Sequence, residues 1–294
     1  MRIILFFTLA FFIFAGCSKT QPKNQPKGFA QQECIISKPV FTQAEKESAR
    51  KSLETKGIPA TTDSLNIAIN SRDKASVEEL LKVGINPNDV SNGGRTPLMS
   101  ALDNNSSEII SLLVKSGAQV NAPDQNGWIP FVQTVARGDM ASVILMLEYC
   151  ANVNIKEPQQ FGSKPVGNTP LQAAINKRDS TLVQLLIGKG ADVNVKAGPA
   201  NISPLYNASS LTSIEIVRLL VEKGADIKEN RGGWTPLIAA MNFSRFDIAK
   251  FLIENGADIN AITPEGLSAI RLAKKHNRQD IIDLLIAKGV RGPE

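Results

Sequence analysis

Residues 233–241 read "GWTPLIAAM" and residues 250–260 read "KFLIENGADIN". Thr235 is a residue type that starts a helix by accepting a backbone N–H, and Pro236 suits the first helical position, where its missing N–H would have no partner. Just upstream, "IEIVRLLVEKG" at residues 214–224 sets Ile216, Leu219 and Leu220 on one helical side and stops at Gly224, a natural left-handed end. The unit predicted from these stretches is two short helices joined by a turn. One such pair cannot bury its own apolar face, so it needs neighbours of the same kind.

Those neighbours are present. "GRTPLMSAL", "WIPFVQTV", "GNTPLQAAI", "NISPLYNAS" and "GLSAIRLAK" repeat the motif, and with Thr235 the start positions are Thr96, Ile129, Thr169, Ser203, Thr235 and Ser268, spaced by 33, 40, 34, 32 and 33 residues. Counting back from Thr96 reaches Asp63 and a weaker copy, "DSLNIAI", so residues 63–294 hold about seven units. Period and motifs together resemble ankyrin repeats. The resemblance implies an all-α ankyrin-repeat solenoid of about seven helix-turn-helix repeats with short hairpin loops, and a role in binding other proteins.

Two departures from that family's pattern carry expectations. Met99, Val132, Gln172, Tyr206, Ile238 and Arg271 stand where a histidine often follows Thr-Pro-Leu, which removes a common inter-repeat hydrogen-bond network. Cys150 replaces the helix-ending glycine of the third repeat, where a left-handed backbone costs a side chain about 1 kcal/mol or more, so that helix end is expected to be built differently.

The array needs ends. Residues 42–62 contain Thr42 and Glu45 in capping-box spacing and a largely charged helix suited to covering the first apolar face. The last pair turns Arg271, Lys274, Lys275, Arg278 and Gln279 outward. Ahead of the cap, "MRIILFFTLAFFIFAGC" has one charge at Arg2 and an apolar run from Ile3 to Ala15, the pattern of a secretory signal and too short to span a bilayer comfortably. Its Ala15-Gly16-Cys17 ending resembles the lipobox of bacterial lipoproteins, with Phe14 in place of the usual leucine. The implied division is a signal peptide over 1–16 and a lipidated Cys17 with a flexible, proline-containing tether over 17–41. A plain secretory signal with a bystander cysteine and an uncleaved anchor are the alternatives. Ser18 after the cysteine implies, by the same resemblance, the outer membrane facing the periplasm.

Net charge is +5, but Arg2, Lys19, Lys23, Lys27 and Lys38 against Glu33 account for +4 of it in residues 1–40. The remainder is nearly neutral, which argues against nucleic acid as a partner. Catalytic groups are scarce as well. His276 is the one histidine, leaving no histidine-based triad elsewhere and too few ligands for a His/Cys metal cluster, and no Gly-rich phosphate loop is found. The paired Glu78 and Glu79 read as the solvated face of a helix. No catalytic residue, metal or cofactor is expected. Cys34 and Cys150 remain: an oxidising compartment permits a disulfide between them, at the cost of running the N-terminal segment along about 20 Å of stack, and the alternative is a small buried apolar Cys150.

The family resemblance places partner contacts on the hairpin tips and the exposed side of each first helix. Mapped onto this sequence these are Arg95, Asp103, Asn104, Trp128, Arg137, Asn176, Lys177, Ser210, Leu211, Trp234, Asn242 and Phe243. Tryptophan and arginine are enriched at hot spots, although a tryptophan at this place in the repeat often packs on the neighbouring hairpin. The long third spacing holds "KEPQQFGSKPVGN", residues 156–168, a finger stiffened by Pro158 and Pro165 with Phe161 near its tip. Among ankyrin lipoproteins of Gram-negative bacteria, resemblance points to immunity proteins that neutralise toxic effectors such as phospholipases delivered by type VI secretion. An adaptor or scaffold for a resident periplasmic enzyme, for example in catalase maturation, is the alternative.

Overall fold

The Thr-Pro pairs do start helices. In the computed structural model, which describes residues 38–90, 94–158, 167–211 and 213–290, Thr96, Thr169 and Thr235 accept the backbone N–H of Met99, Gln172 and Ile238, with proline following each cap. Ser203 accepts from Tyr206 at 3.1 Å in the same way. Ile129 has no side-chain cap bond, yet its helix forms with Pro130 at its start.

Fifteen α-helices result among the described residues. The first, α1 (Gln43–Thr55), is followed by seven pairs. These are α2 and α3 (Thr62–Asn70, Lys74–Lys82), α4 and α5 (Pro97–Asp103, Ser107–Lys115), and α6 and α7 (Pro130–Arg137, Met140–Glu148). Next come α8 and α9 (Pro170–Lys177, Ser180–Gly188), α10 and α11 (Pro204–Leu211, Ile214–Glu222), α12 and α13 (Pro236–Asn242, Phe246–Glu254), and α14 and α15 (Ala269–Lys275, Gln279–Ala287). The weak copy predicted at Asp63 is a full repeat, with Thr61 as its cap.

Packing is by neighbour. First helices stack on first helices from α2 to α14, and second helices on second helices, except that α7 and α9 make little contact while α6 and α8 pack closely. Among the described residues, three hairpins of the later repeats are closed by isolated backbone bridges, Ala197 with Ile202, Arg231 with Trp234 and Ile262 with Ser268. The apolar core is therefore one seam between the two layers, running from Leu53 of α1 to Leu285 of α15.

α1 packs on α3, in the layer of second helices, and so covers one end. Its capping box forms as expected: Glu45 N–H donates to Thr42 Oγ1 at 3.2 Å and Thr42 N–H to Glu45 Oε2 at 2.7 Å. Glu79 differs from the expected solvated face. It is half-buried and docks the cap, accepting from Ser52 Oγ at 2.6 Å and from Lys56 Nζ at 2.8 Å.

The expectation for Cys150 also needs correction. Its φ is 65°, the left-handed conformation that Gly117 and Gly224 adopt at the same place. Ala151 N–H donates to Met146 O at 2.8 Å, matching Ala118 to Leu113 and Ala225 to Leu220 at 2.9 Å. That helix end is built like the others, because the stack fixes the direction in which the chain must leave. Cys150 is half-buried and disulfide-bonded, so the free apolar thiol is not what the structure holds. Cys17 and Cys34 lie outside the described residues.

Candidate functional site

Eight residues after each cap, one position per repeat makes a column along the exposed side of the first-helix layer: Asn104, Arg137, Lys177, Leu211, Phe243 and His276. In the early repeats this position reaches back one repeat. Asn104 Nδ2 donates to Ile69 O at 3.1 Å and to Asn70 Oδ1 at 3.2 Å. Arg137 repeats the geometry, with Nη1 to Leu102 O at 2.5 Å and Nη2 to Asp103 Oδ1 at 2.6 Å. Lys177 is exposed, and its stem crosses Gly138 closely enough to leave no room for a Cβ there.

Later in the column the chemistry changes. Leu211 is half-buried, and Phe243, with no donor to send back, is 55% exposed. His276 turns its ring edge-on to Phe246 at 5.4 Å between centroids. Asn242, beside Phe243, is exposed.

Three sequence candidates turn out to be a single network. Asp103 takes Arg95 on Oδ2 and Arg137 on Oδ1, and Arg95 also faces Asp124 Oδ2 at 3.6 Å. These charges are spent largely within the stack. Trp128 and Trp234 are half-buried and packed against the core. Ser210 is buried rather than exposed, because its hydroxyl turns back to Asn207 O at 2.8 Å. Asn176 is exposed and accepts from Asn207. Phe161 lies outside the described residues.

Two polar systems escaped the sequence reading. The first replaces the absent histidine network: buried Asn207 Nδ2 donates to Gln172 Oε1 at 2.6 Å and Asn176 Oδ1 at 2.7 Å, while Gln172 Nε2 donates to Ile202 O at 3.0 Å. The second is a ladder. Asn88, Asn121, Asn154 and Asn194 donate to Gly117 O, Cys150 O, Gly190 O and Gly224 O at 2.8–3.0 Å. Each also accepts, from the N–H of Gln119, Asn152, Asp192 and Asp226, at 2.8 Å. An asparagine recurring at that place in five units, at 88, 121, 154, 194 and 260, was the available signal. Lys228 stands at the next rung, and an ammonium cannot accept an N–H.

One ionisable group on this side is out of the ordinary. Glu157 is buried at the foot of the long hairpin; its Oε1 accepts from Gln133 Nε2 at 2.9 Å and its Oε2 completes no hydrogen bond. Burial pushes its carboxyl above the usual range, while the Gln133 bond and the nearby backbone amides of Ile129 and Asn168 pull the other way. Glu157 lines a shallow cleft with Gln133, Asn176 and Lys177. Among the described residues no group of three or more His, Cys, Asp or Glu is placed to hold a metal ion, and no helix is long and apolar enough to cross a membrane.

Comparison with known proteins bears on the stack as a whole. A model of tandem ankyrin repeats matches residues 47–124 and 196–263, and a single ankyrin-repeat model matches residues 166–197. The chain belongs to the ankyrin-repeat family. The human ASB11 ankyrin repeat domain superposes with a TM-score of 0.62 at 23% identity, over 78% of this chain and 98% of that one. A putative ankyrin repeat protein of Rickettsia felis is 30% identical over 125 residues, 42% of this chain and 39% of that protein. Glycerophosphocholine phosphodiesterase gde1 of Schizosaccharomyces pombe is 41% identical over 81 residues, 27% of this chain and 7% of that protein. The chain thus spans only a minor part of these curated relatives. Ankyrin repeats are in general non-catalytic scaffolds that bind other proteins, and this array is a protein-interaction module.

Proposed function

We propose that this ankyrin array is a lipid-anchored protein-binding module of the bacterial envelope, with no catalysis of its own. Cys17 is the lipid attachment point, the outer membrane facing the periplasm is the location, and the partner is a toxic effector that the module neutralises, such as a secreted phospholipase. The observation that carries the binding role is the column on the first-helix layer. Its early members are tied back into the stack, whereas Phe243 stands exposed on the repeat that also carries the half-buried Trp234. Aromatic side chains partly free of their own core are where interface energy concentrates. The disulfide at Cys150 supports an oxidising location, since such bonds persist outside the cytosol. Tethering at the membrane raises the inhibitor's local concentration where a lipase must act.

The test is protection. A sensitive strain expressing the chain should survive the effector, and the effector should co-purify with it. Phe243→Ala should weaken that complex about tenfold or more while leaving the unfolding midpoint unchanged. No protection together with no recovered effector sinks the immunity reading. Cys17→Ser should abolish lipid labelling and membrane association, and a variant that stays membrane-bound refutes the anchor.

A further inference from the structure

Resting on the protein-binding reading above, we propose that the first-helix side of the fourth to seventh repeats takes an extended acidic segment of the partner, apolar in its middle and carrying carboxylates at both ends. The first helices there, α8, α10, α12 and α14, contain no aspartate or glutamate. α4, by contrast, ends in Asp103, which binds Arg95 and Arg137 and so neutralises the early end of the same face. No such carboxylate stands later. Lys177, Arg178, Lys274 and Lys275 are all exposed, and none makes an ion pair or hydrogen bond through its charged group among the described residues.

The carboxylates that lie near are mostly occupied. Asp179 caps α9 by accepting from Leu182 N–H at 3.0 Å, Asp280 holds Arg278 at 2.7 Å, and Glu229 is buried against Lys196 at 3.0 Å. Asp247 and Glu265 are exposed, the first in the opening turn of α13, where the helix N-terminus offsets its charge, and the second out on the last hairpin.

Between the cations lie apolar side chains. Leu211 and Phe243 hold the column position of the fifth and sixth repeats, with Lys177 one repeat before them and Lys275, next to His276, one repeat after. An uncharged segment laid over Phe243 would take water from the neighbouring ammonium groups and return nothing, and a basic one would be repelled. Carboxylates at the ends of the segment replace that water, while contact with the exposed ring supplies affinity. Length follows from the repeat. Three steps of about 8–10 Å separate Lys177 from Lys275, and an extended chain rises about 3.3 Å per residue, so about seven to nine residues span the face.

The test uses the full chain and a synthetic peptide of about nine residues, blocked at both ends, with leucines at its centre and glutamates towards its termini. Its counterpart has glutamine for every glutamate. Calorimetric titration at low salt should show the acidic peptide binding about tenfold or more tightly than the counterpart, an advantage that shrinks as salt screens the ammonium groups. Lys177→Glu and Lys275→Glu should each weaken the acidic peptide about fivefold or more and leave the uncharged one unchanged, whereas Phe243→Ala should weaken both. Lys51→Glu, the same charge change on α1, should alter neither. All four positions are exposed, so the unfolding midpoint should hold, and circular dichroism checks it.

Equal affinity for the two peptides would make the occupant an uncharged segment. An acidic peptide bound undiminished by the lysine changes or by Phe243→Ala would lie elsewhere on the molecule, and an acidic peptide that does not bind would leave the face without this occupant. Each of these outcomes overturns the proposal. Protection against an effector is measured with no peptide present, so the immunity reading and the acidic segment can fail separately.

Discussion

Two hairpins flank the third repeat and solve the same problem differently. In the first, Asp124 is buried and its Oδ1 accepts from the N–H groups of Asn126 and Trp128 at 2.9 and 3.0 Å, closing a tip that returns four residues later. In the second, Glu157 occupies the equivalent place, but its N–H pairs with Asn168 O, so the tip returns only after eleven residues. Its carboxylate turns instead to Gln133 on the first helix of its own repeat. The added methylene and the longer tip together exchange a self-contained turn for a buried acid with one open oxygen. The foot of the second hairpin is thus tied to α6 through Gln133 as well as to its own return strand at Asn168.

Breaking the first hairpin has the largest expected effect. Asp124→Ala removes two amide bonds at a buried site and takes a partner from Arg95, which amounts to about 2–4 kcal/mol. Chemical denaturation measures it, and a loss under about 1 kcal/mol would show that the turn closes without the carboxylate.

The rungs beneath the two hairpins should be alike even though the hairpins are not. Asn121 and Asn154 each donate to a helix-end carbonyl and accept an N–H from the following repeat. Alanine at either should cost about 1–3 kcal/mol, and the two losses should agree within about 0.5 kcal/mol. A much smaller loss at Asn154 would mean that the long hairpin also slackens its junction. Lys228→Asn is the converse change and should gain about 1 kcal/mol by supplying the absent acceptor.

How much of this was legible follows from what each feature depends on. The helices, their order and the repeat count came from residues acting locally: Thr235 caps, Pro236 starts, Gly224 ends. Arg95, Asp103 and Arg137 were each read as partner contacts because their mutual pairing depends on how one repeat lands on the next. Ser210 was misplaced for the same kind of reason, since only the folded turn shows its hydroxyl bending back to Asn207. Cys150 teaches the reverse lesson. Local preference argued for a different helix end, and the stack, with its disulfide, imposed the common one. The asparagine ladder was in plain sight as a recurring residue, but its meaning lies across repeats and not within one.

Glu157→Gln is the gentlest way to sharpen the comparison, because it keeps an acceptor for Gln133 and removes only the charge. Burial raises the folded-state pKa of Glu157 above its unfolded value of about 4.5. The folded state therefore holds this proton more tightly than the unfolded chain does. Its contribution to stability is fully present below the unfolded pKa and is lost as pH rises through the folded one. Wild-type stability should accordingly fall as pH climbs from about 4.5 through the raised value, and the variant should not share that fall. At neutral pH the variant should be the more stable of the two, with the difference closing as pH drops below the unfolded value. Asp124→Asn makes the contrast complete: it should cost stability at neutral pH, because there the carboxylate is bonded by two amides and faced by Arg95. Parallel pH–stability curves for wild type and Glu157→Gln would show that the open oxygen finds a partner in solution, and the second hairpin would then be as self-sufficient as the first.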